Sequence, residues 1–311
     1  MLLLSLWIAM SLAEPRRSPA RRSDFRFDRR PRPRPGGGRL DTIRVRTAGP
    51  RAILFVPPLI GGDLAGAIRP VRPLVRAGCD LITFSYAGHG RSSDPFSLGA
   101  TLRDTAYMLD EAARLSRRAG LPLFGLAVCY AAIPAIHAAA ALGEPFTRLA
   151  LVNAVIDLGP KAVYGSFRGY VGRLPRTPAG LRRAAHDYLD FLFPEVAKGR
   201  DRFGVLERRR TELLRTAAEG MTLRPLAGVH LPGTPVLSLY AREDRILRLY
   251  GATVGRGGEY EDVIRRVCPR ARFVPVDGDH FLSRPTDRAD VRRFLLSFFG
   301  LPLSAGLTSA G

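Results

Sequence analysis

A thiol, an imidazole and a carboxylate, the three groups that together can run nucleophilic acyl chemistry, occur in this chain each just after an apolar run, as Cys129, His280 and Asp244 respectively. In such a set the first attacks, the second moves its proton, and the third holds the imidazole in the productive tautomer. Cys129 sits at a break in Leu121-Pro122-Leu123-Phe124-Gly125-Leu126-Ala127-Val128-Cys129-Tyr130-Ala131-Ala132-Ile133-Pro134, which reads as a strand, a small-residue turn and an alanine-rich helix. A cysteine at a helix N-terminus beside an imidazole is favoured as thiolate, because the helix dipole and an imidazolium both stabilise the anion. Small residues two before and two after the apex, here Ala127 and Ala131, let neighbouring backbone approach a strained strand-to-helix turn closely.

Two registers are open for this turn. Gly125-Leu126-Ala127-Val128-Cys129 also places small residues around an apex, but it puts Ala127 there and leaves no nucleophile. Pro134 favours the Cys129 register, since proline is tolerated in a first helical turn and would kink a helix two turns in. A third reading makes Cys129 a small buried hydrophobe, the commonest fate of a free cysteine.

Ala127-Val128-Cys129-Tyr130-Ala131-Ala132 resembles the G-x-C-x-G-G elbow of cysteine-type α/β-hydrolase-fold enzymes, such as dienelactone hydrolases and polyhydroxyalkanoate synthases, with alanines for glycines. The serine form G-x-S-x-G occurs nowhere in the chain. Tyr86-Ala87-Gly88-His89-Gly90-Arg91-Ser92 is similar to a turn of that family that is structural, so His89 and Ser92 receive no catalytic role. Ala241-Arg242-Glu243-Asp244-Arg245-Ile246 resembles the turn that carries the family's acid, and Asp277-Gly278-Asp279-His280-Phe281 its histidine turn.

The resemblance runs over residues 40–300. It implies a triad of Cys129, Asp244 and His280, with Glu243 and then Asp157 as lesser candidates for the acid. It also implies an oxyanion hole built from the backbone N–H groups of Tyr130 and Leu59, because Pro57 and Pro58 have no N–H to offer. An approach lined by Leu59, Ile60 and aromatic residues such as Tyr164 and Phe167 implies a small-molecule acyl ester or thioester, processed through an acyl-enzyme without cofactor or metal. The alternative is a catalytically inactive hydrolase-fold protein that binds a ligand or partner, with Ala127 at the nucleophile position.

The elements that must position these groups follow from periodicity. Strands are expected at Thr42–Arg46 (an edge strand), Ala52–Val56, Leu81–Tyr86, Leu121–Val128, Arg148–Asn153, Pro235–Tyr240 and Ala271–Val276. Helices are expected through Arg76, over Leu102–Arg118, after Cys129, and over Asp287–Phe299. This alternation predicts an α/β fold with a doubly wound, mostly parallel sheet. Residues 40–156 and 230–300 form its core, 157–229 an Arg- and aromatic-rich helical cap, 1–39 a disordered Arg/Pro-rich segment and 301–311 a frayed tail.

Composition narrows the partners. The 311 residues are 46% hydrophobic, enough for one large core plus an insertion, with no apolar run long enough to span a bilayer. The formal charge of +20 would ordinarily raise nucleic acid as a partner. Lys161 and Lys198 are the only lysines among 48 basic residues, however, which points to a coding bias towards arginine. Ten arginines against three acids fall within residues 1–40, in no recognisable nucleic-acid module, so no nucleic-acid partner is expected. Cys79, Cys129 and Cys268 are odd in number and lack metal-ligand spacing, so neither a disulfide framework nor a zinc site is expected. Residues 1–13 resemble the apolar part of an export signal, but arginines follow where export disfavours them; a cytoplasmic protein is expected, with export as the alternative.

Overall fold

The computed structural model of the protein describes residues 25–59, 64–94, 96–156, 177, 226, 228–244, 259–280 and 282–303. Eight strands form one sheet: β1 (Phe25–Pro33), β2 (Arg39–Thr47), β3 (Ala52–Phe55), β4 (Cys79–Phe84), β5 (Leu123–Val128), β6 (Arg148–Val152), β7 (Val236–Ala241) and β8 (Ala271–Val276). Their spatial order is β1-β2-β4-β3-β5-β6-β7-β8. The pairs β1/β2 and β2/β4 are antiparallel and every other pair is parallel.

Strands β3, β4 and β7 are buried at every residue, as continuous apolar runs covered on both faces must be. Alternation then sends side chains to two separate cores. Ile53 and Phe55 join one, with helices α3 (Leu98–Ala119), α4 (Ala132–Ala141) and α5 (Glu259–Val267). Ala52 and Leu54 join the other, with α2 (Arg72–Arg76) and α6 (Pro285–Phe299). The sheet is thus doubly wound and mostly parallel, as expected.

Helix α3 begins four residues earlier than its apolar periodicity indicates, because the Ser97 hydroxyl accepts from Ala100 N at 3.0 Å and caps it. The single helix expected before Arg76 is instead α1 (Leu64–Ile68), a 3₁₀ turn over Arg69–Val71, and α2, with Pro70 and Pro73 at the junctions. Each proline removes a donor from the helical ladder. Helix α5 lies outside the expected set.

The N-terminal boundary requires a correction. Residues 25–33, expected to be disordered within 1–39, pair with β2 over nine residues, from Phe25↔Thr47 to Pro33↔Arg39. This makes β2 an interior strand rather than the edge. The arginines that read as a solvated tail are met by carboxylates from elsewhere in the chain: Arg29 Nε–Asp41 Oδ1 at 2.9 Å, Arg32 Nη1–Glu111 Oε2 at 2.9 Å, and Arg34 with Asp94 at 2.9 Å and Asp104 at 3.3 Å. Pro31 and Pro33 are compatible with a strand because β1 is the sheet edge, where a missing N–H interrupts no ladder. The hairpin closes through Gly36, Gly37 and Gly38, all at positive φ; a Cβ at Gly38 would lie 1.8 Å from Asp94 Oδ2.

The expectations for residues 1–24, for nearly all of the cap at 157–229, and for 304–311 lie outside the described residues. Among the described residues no helix is long and apolar enough to cross a membrane, and no cluster of His, Cys, Asp or Glu could hold a metal ion.

Candidate active site

Strand β5 ends at Val128 with extended backbone (φ −118°, ψ 139°), and the next residue, Cys129, turns to φ +53°. A 3₁₀ turn over Cys129–Ala131 then leads into α4. A left-handed conformation at a residue with a Cβ costs on the order of 1 kcal/mol or more, so the surroundings must enforce it. They do so in part through the Cys129 carbonyl, which accepts from Val155 N at 3.0 Å.

This geometry separates the two registers. Ala127 lies inside β5 with its methyl group fully buried in the core, and Cys129 is the apex. Pro134 is the third residue of α4, within its first turn. Gly125, which gave the rival register its leading small residue, is small for another reason: a Cβ there would lie 2.7 Å from Leu149 Cδ1 and 2.8 Å from Phe146 Cε1.

The acid and the imidazole arrive on the loops after the two following parallel strands. Beyond β7, Asp244 closes a turn by donating its N–H to Ala241 O at 3.2 Å, and its carboxylate is fully buried. Beyond β8, Gly278 takes φ +115°, where a Cβ would strike Asp287 Oδ2 at 2.3 Å, and the chain then presents His280. His280 Nδ1 and Asp244 Oδ2 are 2.6 Å apart. An ionised carboxylate only accepts, so Nδ1 donates, leaving Nε2 as the nitrogen available to the thiol.

The Cys129 side chain is within hydrogen-bonding reach of His280. Burial by itself would lower the imidazole pKa. The negative charge of Cys129, the hydrogen bonds from Asp244 and Cys129, and the charge of Asp244 together outweigh it and raise the pKa to about 10. The proton on His280 is therefore held well above the ordinary imidazole range.

The three free cysteines are not equivalent. Burial, reinforced by Asp80 at Cys79 and by Glu144 at Cys268, pushes both of those thiols up to about 12, whereas Cys129 is only half-buried.

Tyr130 follows the apex within the 3₁₀ turn, and its phenol oxygen is 2.7 Å from Thr101 Oγ1 on α3. Leu59 is half-buried beyond the carboxyl end of β3. Of the other anticipated residues, Ile60, Tyr164, Phe167 and Asp157 lie outside the described residues. Glu243, the substitute acid, is exposed, with its N–H donated to Gly278 O at 3.0 Å.

His89 and Ser92 do structural work. The His89 ring meets Phe96 edge-on at 4.9 Å, and Ser92 Oγ donates to Ser85 O at 2.7 Å while accepting from Asp41 N at 2.9 Å.

One residue of the site was not anticipated from sequence. Asn153, fully buried just past β6, accepts from Ala241 N at 2.8 Å and donates to His280 O at 2.7 Å. Its only sequence signal is an amide placed directly after the apolar run Leu149-Ala150-Leu151-Val152.

The sequence matches no protein-family model and no curated protein. Solved structures do resemble it. An esterase of Pyrococcus furiosus superposes with a TM-score of 0.62 at 13% identity, covering 92% of this chain and 96% of that one. A hydrolase from Pseudomonas aeruginosa gives 0.56 at 21% identity, over 90% and 100% of the two chains. The thioesterase domain from the curacin biosynthetic pathway gives 0.54 at 17%, over 87% and 99%. With its sheet order and its strand-to-helix elbow, the chain has the α/β-hydrolase fold.

Proposed function

We propose that the protein is an acyl hydrolase or acyltransferase that carries an acyl group from an ester or thioester on Cys129, with His280 as the proton carrier and Asp244 as its anchor. The observation that carries this reading is the chain of contacts from a half-buried thiol at a strained apex, through a buried imidazole, to a buried carboxylate 2.6 Å away. The esterases and thioesterase among its structural neighbours support the same chemistry.

In this mechanism the Cys129 sulfur attacks the substrate carbonyl carbon and a C–S bond forms. The carbonyl oxygen takes the negative charge towards the N–H groups of Tyr130 and Leu59, each donor worth about 3 kcal/mol of barrier in comparable sites. The bond to the departing oxygen or sulfur then breaks, and the His280 imidazolium gives that atom its proton. Water or another acceptor next loses a proton to His280 and attacks the acyl thioester, and Cys129 leaves as thiolate. Asp244 keeps the ring oriented throughout and does not itself take the proton.

A cysteine at this position favours some substrates over others. In the adduct with a simple alkyl ester, the thiolate is a better leaving group than the alkoxide, so collapse runs back to substrate unless the alkoxide is protonated. A thioester, or an ester with an acidic leaving group, lacks that handicap.

Cys129→Ala is expected to lower turnover of a short-chain p-nitrophenyl ester or an acyl-CoA thioester by more than ~10³-fold. Mass spectrometry of the wild-type protein is expected to find the acyl group on the Cys129 peptide. Turnover by the alanine variant at the wild-type rate would overturn the assignment.

A further inference from the structure

From the hydrogen bonds around Asn153 we infer that this residue is a positioning residue for the Asp244–His280 pair, clamping the two loops that carry it. The inference rests on the catalytic reading above, and its test is chosen so that either can fail alone.

Asn153 occupies the first position past β6, at φ +46°, where its own N–H is still held by Leu239 O at 2.8 Å. Asparagine tolerates this left-handed backbone better than most residues, and the turn swings its carboxamide across the carboxyl ends of the next two strands. Oδ1 accepts the N–H of Ala241, the last residue of β7 and the start of the turn that ends at Asp244. Nδ2 donates to the carbonyl of His280. The amide orientation is fixed by its partners, because an N–H can only donate and a carbonyl can only accept.

The clamp reaches 88 residues along the chain to Ala241 and 127 to His280. The loops are also joined by Arg242 N–Val276 O at 2.9 Å, Glu243 N–Gly278 O at 3.0 Å and the Arg242–Asp277 ion pair at 3.3 Å. Asn153 joins them from beneath, next to β6 and the elbow. One carboxamide therefore sets the backbone at both ends of the 2.6 Å carboxylate–imidazole contact. Proton transfer depends on such geometry steeply: a displacement of about 1 Å at a reacting group can cost about 10²-fold in rate.

The test uses two variants. Asn153→Ala removes both bonds, while Asn153→Asp, of the same size, keeps the acceptor towards Ala241 and turns an oxygen towards the His280 carbonyl. Each is expected to fold, to lose kcat by about 10- to 100-fold with KM changed less than about threefold, and to lose the downfield proton resonance of a short Nδ1–H···carboxylate bond. Glu144→Gln, a change in a hydrogen-bonded carboxylate remote from the triad, is the control for general destabilisation and is expected to keep that resonance and kcat. Folded Asn153 variants with kcat within twofold of wild type and the resonance intact would overturn the clamp, whatever Cys129→Ala shows. If instead the wild-type protein turns over no acyl substrate, loss of the resonance in both variants still supports the clamp, and its retention overturns it.

Discussion

At the Cys129 apex, backbone strain and electrostatics meet in one residue: the left-handed turn that lifts the thiol out of β5 also brings it to His280. The imidazole is raised to about 10 even though burial works in the opposite direction, which makes the neighbouring anions the deciding influence. Because the value lies above the ordinary ~6.5, the stabilisation from the charged pair is complete below that pH and is lost as pH rises through about 10. Cys129→Ser removes the sulfur whose charge and hydrogen bond help to raise the imidazole pKa, and is expected to lower it by more than about one unit, read from the imidazole C2–H shift in an NMR titration. An unchanged titration would mean that Asp244 alone holds the proton. The same contrast predicts that iodoacetamide labels Cys129 in the native protein and spares Cys79 and Cys268, whose thiols are buried and pushed up to about 12. Equal labelling of all three under native conditions would contradict the burial assigned to the other two.

At the scale of elements, the elbow depends on β5 lying flush against β6 and on the loop entering β6. Gly125 makes that approach possible, with Leu149 and Phe146 filling the space where a side chain would be. Gly125→Ala is expected to lower stability by about 1–3 kcal/mol through overpacking, seen as a reduced midpoint in chemical unfolding, with Cys129 still alkylated at its native rate. A neutral effect on the midpoint would show that Phe146 can move aside at little cost. The N-terminal hairpin shows why this element was illegible beforehand. Its alternation of arginine with phenylalanine and proline resembles a solvated tail until Asp41, Asp94, Asp104 and Glu111 are brought alongside. No window of neighbouring residues contains those partners.

Over the whole molecule, distant loops are tied by carboxylates whose partners lie far along the chain. Glu144, at the end of the α4 turn, accepts from Gly233 N at 2.9 Å, Thr234 N at 2.6 Å and Thr234 Oγ1 at 2.7 Å, fastening the approach to β7. Burial alone would raise its pKa, but these hydrogen bonds and the charge of Arg270 hold it below the ordinary carboxylate value. Its contribution is thus present at neutral pH and lost as pH falls through that lowered value. Glu144→Gln is expected to cost about 1 kcal/mol at pH 7, and the difference from wild type should vanish in strongly acidic buffer, as followed by urea unfolding at several pH values. A pH-independent difference would indicate packing in place of charge. The sequence alone determined the seven apolar strands of the sheet, most of the helices between them, and a thiol, an acid and an imidazole each placed just past a strand end, because side-chain periodicity and strand-end turns are local properties of a few residues. Which register the elbow adopts, that the arginines of residues 25–33 belong to a strand, and that Asn153 bridges the loops carrying Asp244 and His280 were decided only by the tertiary structure. The site geometry depends on strand ends separated by 36 to 127 residues converging at one edge, where a buried amide or carboxylate must find its partner, and the arginine strand on carboxylates 12 to 79 residues away.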